Sequence, residues 1–297
     1  PDLIVHRFPA WDCLPYDRAG PSMRVSADRL ATLSALQQPA RRGELLLTTV
    51  AAITQRTLTA FRIRQLATTL AAGQRIDRDA LAELLVSNGF SRVDTVADQG
   101  EFAVRGGILD LFAPGWSEAL RLDFFGDTLE SIRAFDVASQ RTTGQRNAMS
   151  LQAMSEVALT PETISRFRRA YIEAFGAPSR DDGLYAAVSE GRRFAGMEHW
   201  LPLFYERLET VFDYLPDVPV VFDHLTHESL AERHKLILDH FEARKAQAGA
   251  ALKEAVPYKP VEPARMYMSP DDVAASLQDR VAIELTPFDA PDAGGRK

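Results

Sequence analysis

The sequence has one cysteine, Cys13, among its 297 residues. A single cysteine excludes an internal disulfide framework and a zinc cluster built from cysteines, so a reducing compartment is expected. Long apolar runs are also missing, and none approaches the roughly 20 residues that a membrane-spanning helix requires. The opening "PDLIVHRFPAWDCLPYD" has neither the basic start nor the apolar stretch of a signal peptide. We therefore expect a cytoplasmic chain with no membrane partner.

The sequence also lacks an excess of positive charge. The 34 Lys and Arg residues are outnumbered by 41 Asp and Glu residues, which gives a formal net charge of -7. Broad, charge-driven binding to nucleic acid needs a basic face, and this balance disfavours one. A local basic patch remains compatible with the composition. Proteins are therefore the expected partners.

The sequence also lacks a phosphate cradle of the GxxxxGK[ST] type. The stretch "GRRFAGMEHW" has two glycines, but it has no Lys followed by Ser or Thr. Without that Lys the β- and γ-phosphates of a nucleotide lack a charge partner, and a nearby carboxylate has little Mg²⁺ to hold. The residues present therefore predict no nucleotide hydrolysis, no catalytic residue and no cofactor within this chain.

The run "PVVFDHLTHE" is typical of a buried parallel strand that delivers a carboxylate, here Asp223, to its carboxyl end. In helicase-type ATPases such an Asp binds Mg²⁺ and a Glu follows it, whereas here His224 follows. Two histidines and two carboxylates in the run also suggest a metal site, but "HLTHE" does not have the order of HExxH. A polar strand-to-helix turn, with Glu228 in the first helical turn, is the favoured interpretation. No metal site is predicted.

Periodicity and turn residues predict the first elements. Three leucines in "SADRLATLSAL" have helical spacing, with Ser26 as the N-cap. The apolar run in "GELLLTTVAAI" predicts a strand buried on both faces, followed by a turn into a helix. "DRDALAELLVSNGF" predicts a helix that begins near Asp77 or Asp79 and ends before Gly89.

The later pattern changes twice. From residue 101 to 136 four apolar runs are separated by Gly-Gly, Pro-Gly and Gly-Asp, which favours antiparallel hairpins. Helices and strands alternate again afterwards, ending with "VPVVFD", "THESLAERHKLILDHFEARKAQA" and "RVAIEL". The sequence therefore predicts an α/β fold in which one parallel sheet is interrupted by a small α+β, mostly antiparallel insert. The predicted segments are 1–62, 63–150 and 151–297, the middle one being the insert.

Strand alternation predicts a group of outward-facing side chains on the insert. In "LRLDFF" a period of two places Arg121 and Phe125 opposite the apolar face. In "EFAVRG" the same period places Arg105 opposite Phe102 and Val104. Arginine beside an exposed aromatic ring is the composition of protein-binding hot spots. The sequence therefore offers a candidate protein interface.

Other interpretations of these residues stay open. Phe125 could pack beneath the helix at 79–88, and Arg105 could pair with Asp123 or Glu101 on an ordinary solvated face. Stacking on a nucleic-acid base is a further alternative, which the interleaved acidic residues disfavour.

A long, continuous resemblance bears on this choice. "GEFAVRGGILDLFAPG" and "LRLDFFGDTLESIRAFDVASQRTTG" closely resemble the insert domain of the bacterial transcription-repair coupling factors, a module that also occurs in the excision-repair helicase UvrB. The flanking "AWDCLPYDRAGPS" and "GMEHWLPLFYERLETVFDYLPDVPVVFDH" resemble the same proteins. UvrB also carries an aromatic-rich hairpin that enters DNA. "RAGPSMRVSADRL" stands at that place here, so this kind of DNA clamping is not expected.

The resemblance implies that the insert binds UvrA, the damage-recognition ATPase, through Arg105, Arg121 and Phe125. It also implies that Asp223 and His224 mark a degenerate Walker B position in a module that has lost its nucleotide site. The implied function is non-catalytic recruitment of repair to stalled RNA polymerase. A UvrB-type nucleotide-dependent helicase and a DNA-binding scaffold are the alternatives.

The resemblance further implies an identity for each segment. Residues 1–62 would be the C-terminal part of a UvrB-like domain 1a without its first strand and helix. Residues 63–150 would be insert domain 2, and residues 151–297 domain 1b, so that the sheet is a degenerate helicase-like one. ATP and Mg²⁺ would be used by motor domains elsewhere in a longer parent protein. That parent would also bind RNA polymerase and double-stranded DNA.

Overall fold

The computed structural model describes residues 3–249 and 258–287. This part is a mixed α/β arrangement whose strands form one six-stranded and three two-stranded sheets. The first elements are β1 (Ile4–Phe8), α1 (Met23–Ala35), β2 (Glu44–Thr48), α2 (Val50–Ile53) and α3 (Ala60–Leu66). β1 and β2 run parallel, with Val5 opposite Leu45. The Thr32 hydroxyl of α1 donates to the Arg7 carbonyl at 2.7 Å, which ties this helix to β1.

The first helix begins one turn earlier than predicted. Ser22, not Ser26, is its N-cap, and the Ser22 hydroxyl accepts a hydrogen bond from the Val25 amide at 3.3 Å. Ser26 is a buried residue inside the helix. The leucine spacing shows where the helix meets the core, but the first turn contains no apolar residue of that series, so the spacing cannot locate the cap.

The middle of the chain contains an antiparallel meander, as predicted. Its elements are β3 (Thr68–Ala71), α4 (Arg78–Ser87), β4 (Ser91–Arg92), β5 (Glu101–Arg105), β6 (Ile108–Phe112), β7 (Ala119–Phe125), β8 (Thr128–Phe135), β9 (Thr142–Arg146) and β10 (Ala148–Leu151). Strands β4 to β9 form the six-stranded sheet in sequence order, antiparallel except for the β4–β5 pair. β3 and β10 pair antiparallel, which brings the two ends of this region together.

The two faces of the six-stranded sheet differ. The inner face packs against α4, with Phe102, Leu109 and Ile132 buried against Leu81 and Leu85 of the helix. Asp77 caps α4 by accepting the Ala80 amide at 2.7 Å, which confirms the predicted helix start. The opposite side of the sheet is called the outer face below. Helix α4 therefore covers the inner face of the sheet and not the outer face.

The remaining elements return to alternating helices and strands. They are α5 (Pro161–Phe175), α6 (Gly183–Ser189), α7 (Leu201–Phe204), β11 (Val220–Phe222), α8 (Thr226–Gly249), α9 (Pro263–Met266), α10 (Pro270–Leu277) and β12 (Ala282–Glu284), with 3₁₀ turns at Met197–Trp200 and Val211–Tyr214. These elements and the first segment share one hydrophobic core, which joins Phe8 and Leu33 to Phe167, Trp200 and Phe241. No helix in the described part of the chain has the length and apolar character needed to cross a membrane.

Two predicted features of the fold are wrong. In residues 3–249 and 258–287, β1–β2 and β11–β12 are separate parallel pairs and do not form one sheet. β2 is also not buried on both faces, because Leu45 and Leu47 are half-exposed while Leu46 packs against the core. A continuous apolar run of this length cannot distinguish a strand covered on one face from one covered on two.

A fully buried ion pair lies in the shared core. The Arg29 Nε of α1 donates to Glu156 Oε1 at 2.7 Å, and both side chains are inaccessible to solvent. Arg29 Nη1 donates to the Pro9 carbonyl at 2.8 Å, and the guanidinium lies 4.2 Å from the centre of the Phe8 ring. The pair therefore connects α1, the end of β1 and the segment that follows β10.

A buried histidine lies in the same body of the protein. His199 is almost inaccessible, its Nε2 donates to the Ala19 carbonyl at 3.0 Å, and its ring meets Trp11 edge to face. Burial lowers the pKa of His199 from 6.5 to about 4. Burial also raises the pKa of the neighbouring Glu198. The two groups therefore affect the pH dependence of stability with opposite signs.

His199 is expected to make the protein less stable as the pH falls from about 6.5 to about 4. The unfolded chain takes up the proton first, so the stability contribution is complete above that window and declines within it by up to about 1.4 kcal/mol per pH unit. His199→Gln retains a donor for Ala19 and is expected to lose this dependence. Urea denaturation of both proteins at pH 7, 6 and 5 measures the difference, and equal pH slopes would contradict it.

Candidate partner-binding site

Two of the three predicted partner-binding residues, Arg105 and Arg121, bind the same carboxylate on the outer face, that of Asp110. Arg105 Nη2 donates to Asp110 Oδ2 at 2.6 Å. Arg121 binds the same carboxylate with two donors, Nε to Oδ1 at 2.7 Å and Nη2 to Oδ2 at 2.8 Å. Strand register explains this, because Asp110 of β6 lies directly opposite Arg121 of β7. The Asp110 side chain is only 1% exposed.

Arg121 is held from several sides. Its guanidinium lies 4.6 Å from the centre of the Phe135 ring, and its Nη2 also donates to Gln140 Oε1 at 3.2 Å. Gln140 is itself fixed, because its Nε2 donates to the Val137 carbonyl at 2.8 Å. The hydrogen bonds to Asp110 raise the pKa of Arg121. With only 13% of its side chain exposed, Arg121 has little surface to offer a partner.

Arg105 and Phe125 are the accessible members of the group. The Arg105 side chain is 46% exposed and Phe125 is 76% exposed. Phe125 is the last residue of β7, where the β7–β8 register shifts between Asp123 and Phe124. Phe124 packs against the inner-face cluster, so Phe125 stands clear of it beside the turn. The interpretation in which Phe125 packs beneath α4 is therefore wrong.

Arg105 forms neither of the two ion pairs that the sequence suggested, with Asp123 or with Glu101. Asp123 instead accepts two hydrogen bonds from Arg133, at 2.7 and 2.6 Å, and one from Ser131. Burial alone would raise the pKa of Asp123, but these hydrogen bonds hold it below its usual range. Glu101 accepts the Ala97 and Asp98 amides at 2.9 Å.

Sequence reasoning missed Asp110. In "ILDLF" strand alternation separates this aspartate from the buried Leu109 and Leu111, so it reads as an ordinary solvated residue. The available signal was an acidic residue at the centre of an apolar strand between two strands that each carry an arginine. A buried carboxylate needs such partners, which makes the pairing predictable once strand order is assumed.

Asp223 and His224 lie in an exposed turn between β11 and α8. Asp223 follows the parallel strand, as predicted, but its side chain is 81% exposed. The His224 ring nitrogen lies 3.2 Å from Asp223 Oδ1, and its hydrogen bond lowers the pKa of Asp223. His227 instead binds Glu284 of β12 at 2.8 Å. Within the described residues, no group of three or more His, Cys, Asp or Glu side chains is placed to hold a metal ion.

Known proteins are similar to this chain both in the region of the outer face and over most of its length. Residues 68–156 match the UvrB interaction domain family. That range runs from β3 to just beyond β10 and contains Arg105, Asp110, Arg121 and Phe125. The transcription-repair-coupling factor of Escherichia coli K12 is 33% identical over 287 residues, which cover 96% of this chain and 24% of the relative.

The chain is homologous to part of the transcription-repair-coupling factors. The Myxococcus xanthus coupling factor is 36% identical over 293 residues, covering 94% of this chain and 24% of the relative. The Haemophilus influenzae protein is 32% identical over 274 residues, covering 91% and 23%. The resemblance to coupling factors read from the sequence is therefore confirmed. The chain spans about a quarter of the length of these curated relatives.

Proposed function

We propose that this chain is a non-catalytic docking module of transcription-coupled nucleotide excision repair, which binds UvrA through the outer face of its insert. The observation that carries the proposal is the exposure of Arg105 and Phe125 on the outer face, where Arg105 shares the Asp110 carboxylate with the immobilised Arg121. The match of this region to the UvrB interaction domain family supports it. The similarity of the chain to transcription-repair-coupling factors supports a role in transcription-coupled repair.

The geometry defines what such a partner would offer. Arg105 presents guanidinium donors, which pair best with a carboxylate in a planar, two-pronged arrangement. Phe125 presents a ring that gains most from an apolar recess. Arg121 is already ordered in the free protein, so association need not order its side chain. An acidic group beside an apolar pocket on UvrA would therefore match this face.

The longer parent protein is proposed to bring UvrA to stalled RNA polymerase. Its contacts with RNA polymerase and double-stranded DNA, and its use of ATP and Mg²⁺, are assigned to regions outside this chain. The docking role proposed for this chain itself uses no cofactor, metal or catalytic residue. The His at position 224, where a helicase-type ATPase has Glu, supports this assignment.

A UvrB-type helicase is the second candidate, because Asp223 does follow a parallel strand. The exposure of that carboxylate counts against an assembled nucleotide site around it. Hydrolysis of ATP by a longer protein that includes this chain, abolished by Asp223→Asn, would favour the helicase over the docking module.

Phe125→Ala is expected to weaken binding to UvrA about 10- to 100-fold, because an exposed aromatic anchor dominates small docking surfaces. Phe61→Ala is the matched control, since Phe61 is 58% exposed and lies on α3, outside the insert. Biolayer interferometry against immobilised UvrA compares the two variants with the unaltered chain. Equal affinities for all three proteins would contradict this docking face.

A further inference from the structure

A buried carboxylate organises the outer face of the insert. We propose that Asp110 is a positioning residue for partner binding, which fixes the two arginines of the face without touching the partner. The proposal rests on the docking function proposed above. It differs from a purely stabilising role because it makes the affinity for UvrA depend on a residue that the partner cannot reach.

The hydrogen bonds of Asp110 carry this inference. Its two oxygens accept three N–H groups at 2.6 to 2.8 Å, one from Arg105 and two from Arg121. A carboxylate offers about four acceptor positions, so most of its capacity is used by these two side chains. Its 1% exposure leaves no surface for a partner. Any influence of Asp110 on binding must therefore pass through the arginines.

The two arginines have different parts in this arrangement. Arg121 is clamped by Asp110, Gln140 and the Phe135 ring, so it forms a rigid support. Arg105 touches the same carboxylate through Nη2 only and remains 46% exposed. A long arginine side chain tethered at one nitrogen can present its other donors in a fixed direction. Without the tether, the partner has to select that direction from many rotamers.

Asp110→Asn separates positioning from simple charge attraction, because the two ideas predict opposite signs. The substitution removes one negative charge and makes the face more positive. If the face attracts an acidic partner only through its charge, Asp110→Asn should tighten binding. If Asp110 positions the arginines, the loss of charge-assisted hydrogen bonds should weaken binding about 10- to 100-fold.

Asp123→Asn is the matched control for this measurement. It also removes a carboxylate from the outer face, but the hydrogen bonds it removes are those to Arg133 and Ser131. Calorimetric titration of UvrA should show a change of less than about threefold for this variant, within the range of rim charges. Weakening by Asp110→Asn but not by Asp123→Asn supports the proposal. Equal or tighter binding by Asp110→Asn overturns it.

A double-mutant cycle tests whether Asp110 acts through Arg105. The effect of Asp110→Asn is expected to shrink in an Arg105→Ala background, because the tethered group is then gone. An unchanged effect in both backgrounds would contradict action through Arg105. If the unaltered chain itself does not bind UvrA, the docking function fails first, and that result is distinct from failure of the positioning role.

A second variant keeps the proposal testable if Asp110→Asn does not fold. Arg105→Lys changes a half-exposed position and retains the charge, but it lacks the planar fork. Positioning predicts at least about 10-fold weaker binding for this variant, whereas charge attraction predicts little change. Undiminished affinity of Arg105→Lys would overturn the proposal. Only variants that unfold cooperatively, with a melting temperature close to that of the unaltered chain, are compared.

Discussion

Arg29→Met is expected to lower the free energy of unfolding by about 3–5 kcal/mol, since it leaves the buried charge of its partner uncompensated. Glu156 is inaccessible to solvent, and its Oε1 accepts from Arg29 Nε at 2.7 Å. The Pro9 carbonyl loses its donor in the same substitution. Methionine keeps the length and apolar contacts of the arginine stem. The effect can be measured by urea denaturation at pH 7.

Two comparisons identify the buried charge as the cause. In the double variant Arg29→Met with Glu156→Gln no unpaired charge remains, and most of the lost stability should return. Arg62→Met breaks an ion pair with the exposed Glu162 and should cost less than about 1 kcal/mol. A double variant as unstable as the sum of its single changes would contradict this explanation.

Arg105→Glu is expected to weaken binding to UvrA at least about 100-fold. The substitution removes the exposed guanidinium and places a like charge beside Asp110, which accepts from Arg105 at 2.6 Å in the unaltered chain. It also repels the acidic partner group that the face is proposed to meet. Surface plasmon resonance at two salt concentrations would show whether the loss lies in the dissociation rate.

Arg146→Glu is the matched charge reversal. Arg146 lies on β9 of the same sheet, is 52% exposed, and pairs with Glu118 at 2.9 Å. It therefore changes the net charge of the insert as much as Arg105→Glu does, at a different place. Equal losses of affinity in both variants would indicate long-range charge attraction and contradict a localised docking face.

The elements that could be predicted are those with local signals. Pro161 and Gly176 mark the two ends of α5, and Asp77 marks the start of α4, because caps and turn residues act over a few positions. The meander followed from its glycine turns. The covering of β2 could not be predicted, because what packs on each face of a strand is decided by distant segments.

The candidate site shows the same division. Alternation placed Arg105, Arg121 and Phe125 on one side of the sheet, and the structure brings the two arginines together there. The shared partner, Asp110, depends on the register of three strands, which one sequence does not specify. The low exposure of Arg121 depends on contacts with Gln140, 19 residues away.

Calorimetric titration of purified UvrA with the unaltered chain, and in parallel with Arg105→Glu, tests the docking function most directly. Saturable binding by the unaltered chain, with no measurable heat from the folded variant, is the expected result. An unaltered chain that gives no binding heat, or a variant that binds as tightly, would contradict recruitment of UvrA through the outer face of the insert.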